Sequence, residues 1–172
     1  MEKKDSLFQK YREIIMYLLF GVLTTIVGWA VYKGGFSLAA HIPGVSLSDK
    51  NSAGYIVCYI VIQVMQWIVA VLFAFFTNRR WVFTAADRSR EAMGKQMGLF
   101  FKSRVATLLL DIVVTYLGIL LLARGSADAV MFTIFGYTIT VEMLSKIIAS
   151  VLVVIANYVL SKLLVFRRKT SE

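Results

Sequence analysis

The chain has the length of one ordinary domain, 172 residues, but 59% of them are hydrophobic and only 17% charged, with mean hydropathy +0.73. That balance excludes an ordinary soluble domain, which runs near half apolar and a quarter charged; the single proline and 11 glycines exclude a loop-rich or disordered chain. The lone cysteine, Cys58, excludes an intramolecular disulfide or cysteine metal site, and a net charge of +9 among long apolar runs reads as membrane topology rather than nucleic-acid binding.

Residues 1–13 are polar, with Lys3, Lys4, Lys10 and Arg12. The first apolar run, about 14–32, is too long for the hydrophobic core of a signal peptide and is expected to be a retained spanning helix. Gly21, Thr25, Gly28 and Tyr32 fall on one stripe of it, a face suited to close helix packing. A Gly/Ser/Asn-rich connection over 33–54 holds the only histidine, His41, read as a solvated loop residue. The second run, about 55–76, presents Gln63, Gln66, Trp67, Ala70, Ala74 and Thr77 on one side. The loop 77–98 follows, with Arg79, Arg80, Arg88, Arg90 and Lys95. The third run, about 99–122, contains Arg104 and Asp111. After a short connection comes the fourth run, about 141–166, with Glu142, Lys146, Ser150, Asn157 and Ser161, and then the basic tail Arg167-Arg168-Lys169.

Lys and Arg concentrate in the N-terminal segment, the central loop and the tail, whereas the other two loops hold only Lys33, Lys50 and Arg124. By the positive-inside rule both termini and the loop 77–98 are cytoplasmic. The expected fold is all-α and integral to the membrane: a single domain over 1–172, with four transmembrane helices as two tandem helical hairpins. Two similar endings, Asn78-Arg79-Arg80-Trp81-Val82-Phe83 and Ser161-Lys162-Leu163-Leu164-Val165-Phe166, close the second and fourth runs and suggest a duplicated unit. Trp81, Phe83 and Phe166 are expected at the cytoplasmic interface, where aromatic rings settle.

A charge inside a span costs about 2.5–3.5 kcal/mol on insertion scales, so Arg104, Asp111, Glu142 and Lys146 need a reason to be there. At 100° per residue, Arg104, Asp111, Thr115 and Gly118 share one face of the third helix. Glu142, Lys146, Ser150, Val153, Asn157 and Ser161 share one face of the fourth. Facing these stripes together hides both. One reading makes them structural pairs: Glu142 with Lys146 at i, i+4, and Asp111 with Arg104 or Lys146. Arg104 and Asp111 lie about 10 Å apart along the axis, too far for easy direct pairing. The other reading is a polar path for an anionic group, with Arg suited to bidentate phosphate binding and Lys as a second point charge.

The chain resembles the GtrA-like family of small four-helix membrane proteins, over roughly residues 14–168. The resemblance rests on Asn157-Tyr158-x-x-Ser161-Lys162-x-x-Val165-Phe166, on Phe76-Thr77-Asn78-Arg79-Arg80-Trp81-Val82-Phe83, on Tyr17-Leu18-Leu19-Phe20-Gly21-Val22-x-Thr24, and on the Arg104 to Asp111 spacing. It implies translocation of a polyprenyl-phosphate-linked monosaccharide, glucose-like, across the bacterial cytoplasmic (inner) membrane for cell-surface polysaccharide synthesis or glycosylation. It also implies a polyprenyl-phosphate glycosyltransferase as partner. The substrate path expected on these grounds is Arg104, Asp111, Glu142, Lys146, Asn157, Ser161 and Lys162, with Gln63, Asn78 and Arg79 from the second helix and its end. Arg104, Lys162 and Arg79 would meet the phosphate at the cytoplasmic side.

The competing class is a non-transporting partner subunit of such a glycosyltransferase, its polar residues serving as helix glue. A small-solute or cation exporter would couple through Asp111 or Glu142, but the basic excess suits an anion better. No nucleophile–base set, metal cluster or P-loop is evident, so no enzyme activity, metal or cofactor is expected. The partners expected are the lipid-linked sugar, membrane lipids and a second copy in a homodimer, since four helices are few for an enclosed path. Gly21/Gly28 and Ala70/Ala74 are candidate contacts either between copies or within one.

Overall fold

The computed structural model describes residues 2–43, 49–123, 126–134 and 136–167; the expected contributions of Arg124, Arg168 and Lys169 lie outside them. Four helices make the fold: α1 (Glu2–Ala39), α2 (Ala53–Thr77), α3 (Arg90–Ala123) and α4 (Val141–Leu160). Each, taken with the turn that continues α2 and α4, holds a segment long and apolar enough to cross a membrane: Tyr11–Ala39, Ala53–Val82, Arg90–Leu122 and Val141–Val165. Lipid offers no hydrogen bonds, so a spanning backbone must satisfy itself, and a helix does this within one segment. The exposed apolar side chains of these spans, Trp29 and Leu121 among them, are what a lipid solvent requires. The transmembrane part is all-α, as expected; it is the positive-inside rule that assigns both termini to the cytoplasmic side.

The chain divides between Thr84 and Ala85 into two compact units. In the first, α1 packs on α2; in the second, α3 packs on α4. Local chemistry marks the helix starts. Ser52 caps α2, its Oγ accepting from the Tyr55 N–H at 3.2 Å, and Thr140 caps α4, its Oγ1 accepting from the Met143 N–H at 3.3 Å. Ahead of α3, Asp87 Oδ1 accepts from the Ser89 N–H at 2.8 Å, and Ser89 Oγ from the Ala92 N–H at 3.2 Å. These side chains satisfy donors that a helix start leaves unpaired.

The structure departs from the sequence reading in three places. First, α1 continues past Tyr32 to Ala39. Gly35 permits this, because a Cβ there would lie 3.0 Å from Cγ1 and Cγ2 of Ile62 on α2; the glycine allows an approach that outweighs its low helix propensity. His41 stands just beyond this end, exposed, donating from Nδ1 to the Ser37 carbonyl at 2.8 Å. Second, the connection before α4 holds an antiparallel hairpin, β1 (Val130–Ile134) with β2 (Tyr137–Thr140). Its turn includes Gly136 at φ 81°, a conformation side chains with a Cβ resist.

Third, α2 and α4 each end in a π turn, Asn78–Val82 and Ser161–Val165. The Phe83 N–H bonds the Asn78 carbonyl, and the Phe166 N–H the Ser161 carbonyl, both at 2.8 Å. This wider register turns Val82-Phe83 and Val165-Phe166 inward, so both phenylalanines are buried against protein. Trp81 stays exposed, stacked on Phe20 at 5.3 Å. The Phe83 ring meets Tyr17 at 6.5 Å and 54°, and the Phe166 ring meets Phe100 at 6.0 Å and 51°.

These pairs reveal a duplication with one constant spacing. Tyr17 and Phe100, Gly35 and Gly118, Ile62 and Ser145, Asn78 and Ser161, Phe83 and Phe166 each differ by 83 in residue number. The contacts match as well as the numbers: Gly35 stands against Ile62 as Gly118 stands against Ser145. The anchors fall at both ends of each hairpin, so the positions between them correspond without a gap.

Candidate functional site

The second hairpin holds a polar seam between α3 and α4. At its cytoplasmic end the Arg104 guanidinium lies over the Phe100 ring, 4.5 Å from the centroid. Among the described residues no carboxylate pairs with it. One turn on, the Thr107 hydroxyl donates to Asn157 Oδ1 at 2.9 Å and to the Arg104 carbonyl at 3.1 Å, two acceptors sharing one proton. Further outward, Lys146 Nζ donates to Asp111 Oδ2 at 2.5 Å, an ion pair. The Lys146 side chain is 54% exposed and that of Asp111 20%. Beyond the pair, Thr115 Oγ1 and Ser145 Oγ are buried with no partner.

Helix geometry explains the seam. Asp111, Thr115 and Gly118 follow one another at helical spacing, and Gly118 lets α4 come close: a Cβ there would lie 2.5 Å from Ser145 Oγ. That approach sets Lys146, the residue after Ser145, where its long side chain reaches along the seam to Asp111. An open groove of about 400 Å³ lies along the surface of α4, lined by Met143, Lys146, Ile147, Ser150 and Val151.

The seam unites Arg104, Asp111, Lys146 and Asn157. The other expected site residues are placed differently. Glu142 is exposed in the first turn of α4 and makes no pair with Lys146; a carboxylate there faces the positive end of the helix dipole. Lys162 donates to Tyr158 Oη at 3.2 Å on its own helix. Ser161 is buried at the start of its π turn with Oγ unpartnered. Asn78, Arg79 and Gln63 belong to the first unit, where Asn78 opens the equivalent π turn with Oδ1 also buried and unpartnered. Gln63 is exposed, while Gln66 packs against Gly28. The Gly28 and Ala70 faces therefore meet each other inside the first hairpin.

Sequence reasoning missed Thr107, although it lies three residues after Arg104 and four before Asp111, within the stripe already drawn on α3. It also missed Tyr158, the neighbour of Asn157 that holds Lys162.

The duplication shows what is peculiar to the second hairpin. At the positions equivalent to Arg104, Asp111, Lys146 and Asn157 the first hairpin has Gly21, Gly28, Gln63 and Ala74. Thr107 corresponds to Thr24, whose hydroxyl bonds the Phe20 carbonyl of its own helix at 2.7 Å. The framework of the hairpin is repeated; the charges are not.

The transmembrane-domain model of the GtrA/DPMS family matches residues 16–166. The uncharacterized membrane protein YwcD of Bacillus subtilis is 32% identical over 157 residues, covering 91% of this chain and 98% of that one. The cell wall teichoic acid glycosylation protein GtcA of Listeria monocytogenes is 31% identical over 159 residues, 90% of this chain and 84% of that one. GtcA of a serovar 1/2a strain is 27% identical over 156 residues, 91% and 86% of the two chains. No solved structure matches. With four spans and a match running from α1 through the second π turn, the chain is a multi-pass bacterial membrane protein and belongs to the GtrA/DPMS transmembrane-domain family.

Proposed function

We propose that the chain translocates a polyprenyl-phosphate-linked monosaccharide, glucose-like, from the cytoplasmic to the outer leaflet, for cell-surface polysaccharide synthesis or glycosylation. The family and the GtcA relatives, named for cell wall teichoic acid glycosylation, support a part in glycosylation-related sugar handling. The observation that supports the finer reading is the seam on α3 and α4. It offers two basic groups, Arg104 and Lys146, and between and beyond them Asn157, Thr107, Thr115 and Ser145 as hydroxyl and amide partners. A lipid-linked sugar has the matching parts: an anionic phosphate, a hydroxyl-rich head, and an apolar tail that stays in lipid. Arginine and lysine meet phosphate by charge-assisted hydrogen bonds.

In this reading the phosphate is received by Arg104 and passed outward toward Lys146, while the sugar exchanges water for the polar groups of the seam. The chain acts as a carrier and makes or breaks no covalent bond. A polyprenyl-phosphate glycosyltransferase loads the sugar on the cytoplasmic side, and a second transferase removes it outside.

Purified protein in liposomes with a labelled lipid-linked sugar tests this. Wild type moves the label to the opposite leaflet, and Arg104→Ala and Lys146→Ala, folded by thermal unfolding, lose most of that movement. Wild type that binds a polyprenyl-phosphate glycosyltransferase but moves no label would point to the partner-subunit reading.

A further inference from the structure

Asp111 raises a separate question. A carboxylate weakens the attraction of a site for phosphate, yet Asp111 is the one described acceptor of a hydrogen bond from Lys146. An ammonium has three N–H donors, and the half-exposed Lys146 side chain also lines the open groove along α4 together with Ser150. A need to hold the helices together does not account for the pair. The first hairpin packs with Gly28 and Gln63 at the same positions and keeps the matching glycine contact, ring pair and π turn. The duplicate is an internal control for what the hairpin fold requires, and an ion pair is not on that list.

Resting on the carrier reading above, we propose that Asp111 is a resident anion that the substrate's phosphate displaces. In the empty protein it neutralises Lys146 within the span, where an unpaired charge is costly. When a phosphodiester arrives along the groove, the ammonium turns to it and the carboxylate is left within a few ångströms of a like charge. That repulsion weakens the bound state and drives the phosphate off again, with Asp111 retaking its place. Asp111 is thus a positioning residue that sets how firmly the phosphate is held. Tight binding alone would leave a carrier loaded and idle.

The test measures binding of a short-chain polyprenyl phosphoglucose to the full chain in phosphatidylcholine nanodiscs, with the matching polyprenyl alcohol as the probe lacking phosphate. Asp111→Asn is expected to bind the phosphodiester about tenfold more tightly than wild type, through slower dissociation. It is also expected to translocate it more slowly in liposomes. Affinity for the alcohol does not change, and Lys146→Gln binds the phosphodiester weakly. Where Asp111→Asn fails to fold, Asp111→Ser replaces it, since the first hairpin tolerates a small neutral residue at this position. Equal or weaker phosphodiester binding by the neutral variant, in wild type that both binds and transports, overturns the displacement proposal and leaves the carrier reading standing. Wild type that neither binds nor moves the phosphodiester overturns both. Nanodiscs containing phosphatidylglycerol separate substrate from ordinary lipid: if that headgroup competes as well as the probe, Lys146 is an anionic-lipid anchor and the proposal fails.

Discussion

Asn78 and Ser161 occupy the same place in the two halves of the chain: each opens a π turn, each carbonyl accepts a 2.8 Å bond from the N–H of a phenylalanine five residues on, and each side chain buries an unpartnered oxygen. A π turn inside a helix is rare and frequently sits at a functional site, whereas at a helix C-terminus it is a known way to close the last turn. Two at equivalent positions make an accident of local sequence an inadequate explanation. Their buried polar atoms also separate stability from function.

A buried polar atom without a partner destabilises the protein that contains it. Ser161→Ala should therefore leave thermal stability in detergent unchanged or raise it by about 1 kcal/mol. If Ser161 serves the path, translocation in liposomes falls in the same variant. Loss of stability together with loss of transport would show that the hydroxyl is structural.

Asn157→Ala removes the acceptor of the Thr107 hydroxyl. That hydroxyl has a second acceptor, the Arg104 carbonyl at 3.1 Å, and can turn to it. The cost in stability should be modest, about 0.6 kcal/mol and no more than about 1.7, as for interhelical hydrogen bonds in membranes generally. Translocation should drop by far more than that figure implies. Unfolding midpoints and transport rates measured on one preparation give both numbers.

Gly118→Ala places a methyl group 2.5 Å from Ser145 Oγ and 3.4 Å from its Cα. Overpacking of this kind costs about 1–3 kcal/mol, and the Asp111–Lys146 pair just beyond should loosen with it. Gly94, on the same helix, has open space where a methyl group would stand. Gly94→Ala should be neutral or stabilising by up to about 1 kcal/mol. Equal behaviour of the two variants in thermal unfolding would contradict the close approach.

Gly136→Val forces a β-branched residue to φ 81° in the hairpin turn, at a cost of about 1–2 kcal/mol. The strands should fray while the spans remain. Amide exchange of residues 130–140 should rise without change in helix content by circular dichroism.

Much of this fold was legible in the sequence, because lipid leaves so few options: a long apolar run in a bilayer must be a helix, and Lys and Arg report which side its ends occupy. The face shared by Arg104 and Asp111 was legible for the same reason, as a matter of helical rotation. Partnership was not. Rotation of 100° per residue places Lys146 near Glu142 and on the face toward Asp111 alike, and only the close approach at Gly118 decides between them. The continuation of α1 through Gly34-Gly35 was hidden because two glycines read locally as a stop, and the reason they are not lies on another helix. The strands were missed although Val130–Ile134 and Tyr137–Thr140 are rich in β-branched and aromatic residues around a glycine, the usual hairpin signal. The paired Val-Phe endings were visible as a repeat, but not as π turns, since that register is set by the rings that bury Phe83 and Phe166.

The orientation of the duplicated hairpins bears on direction. Carriers built from inverted repeats obtain an outward-facing state by letting the two repeats trade conformations. By the positive-inside rule the ends of both halves belong to the cytoplasmic side, so such a trade would return the molecule to the face it started from. Any vectorial behaviour must come from what the copies no longer share. That difference is concentrated where glycine, glutamine and alanine in one copy stand against arginine, aspartate, lysine and asparagine in the other.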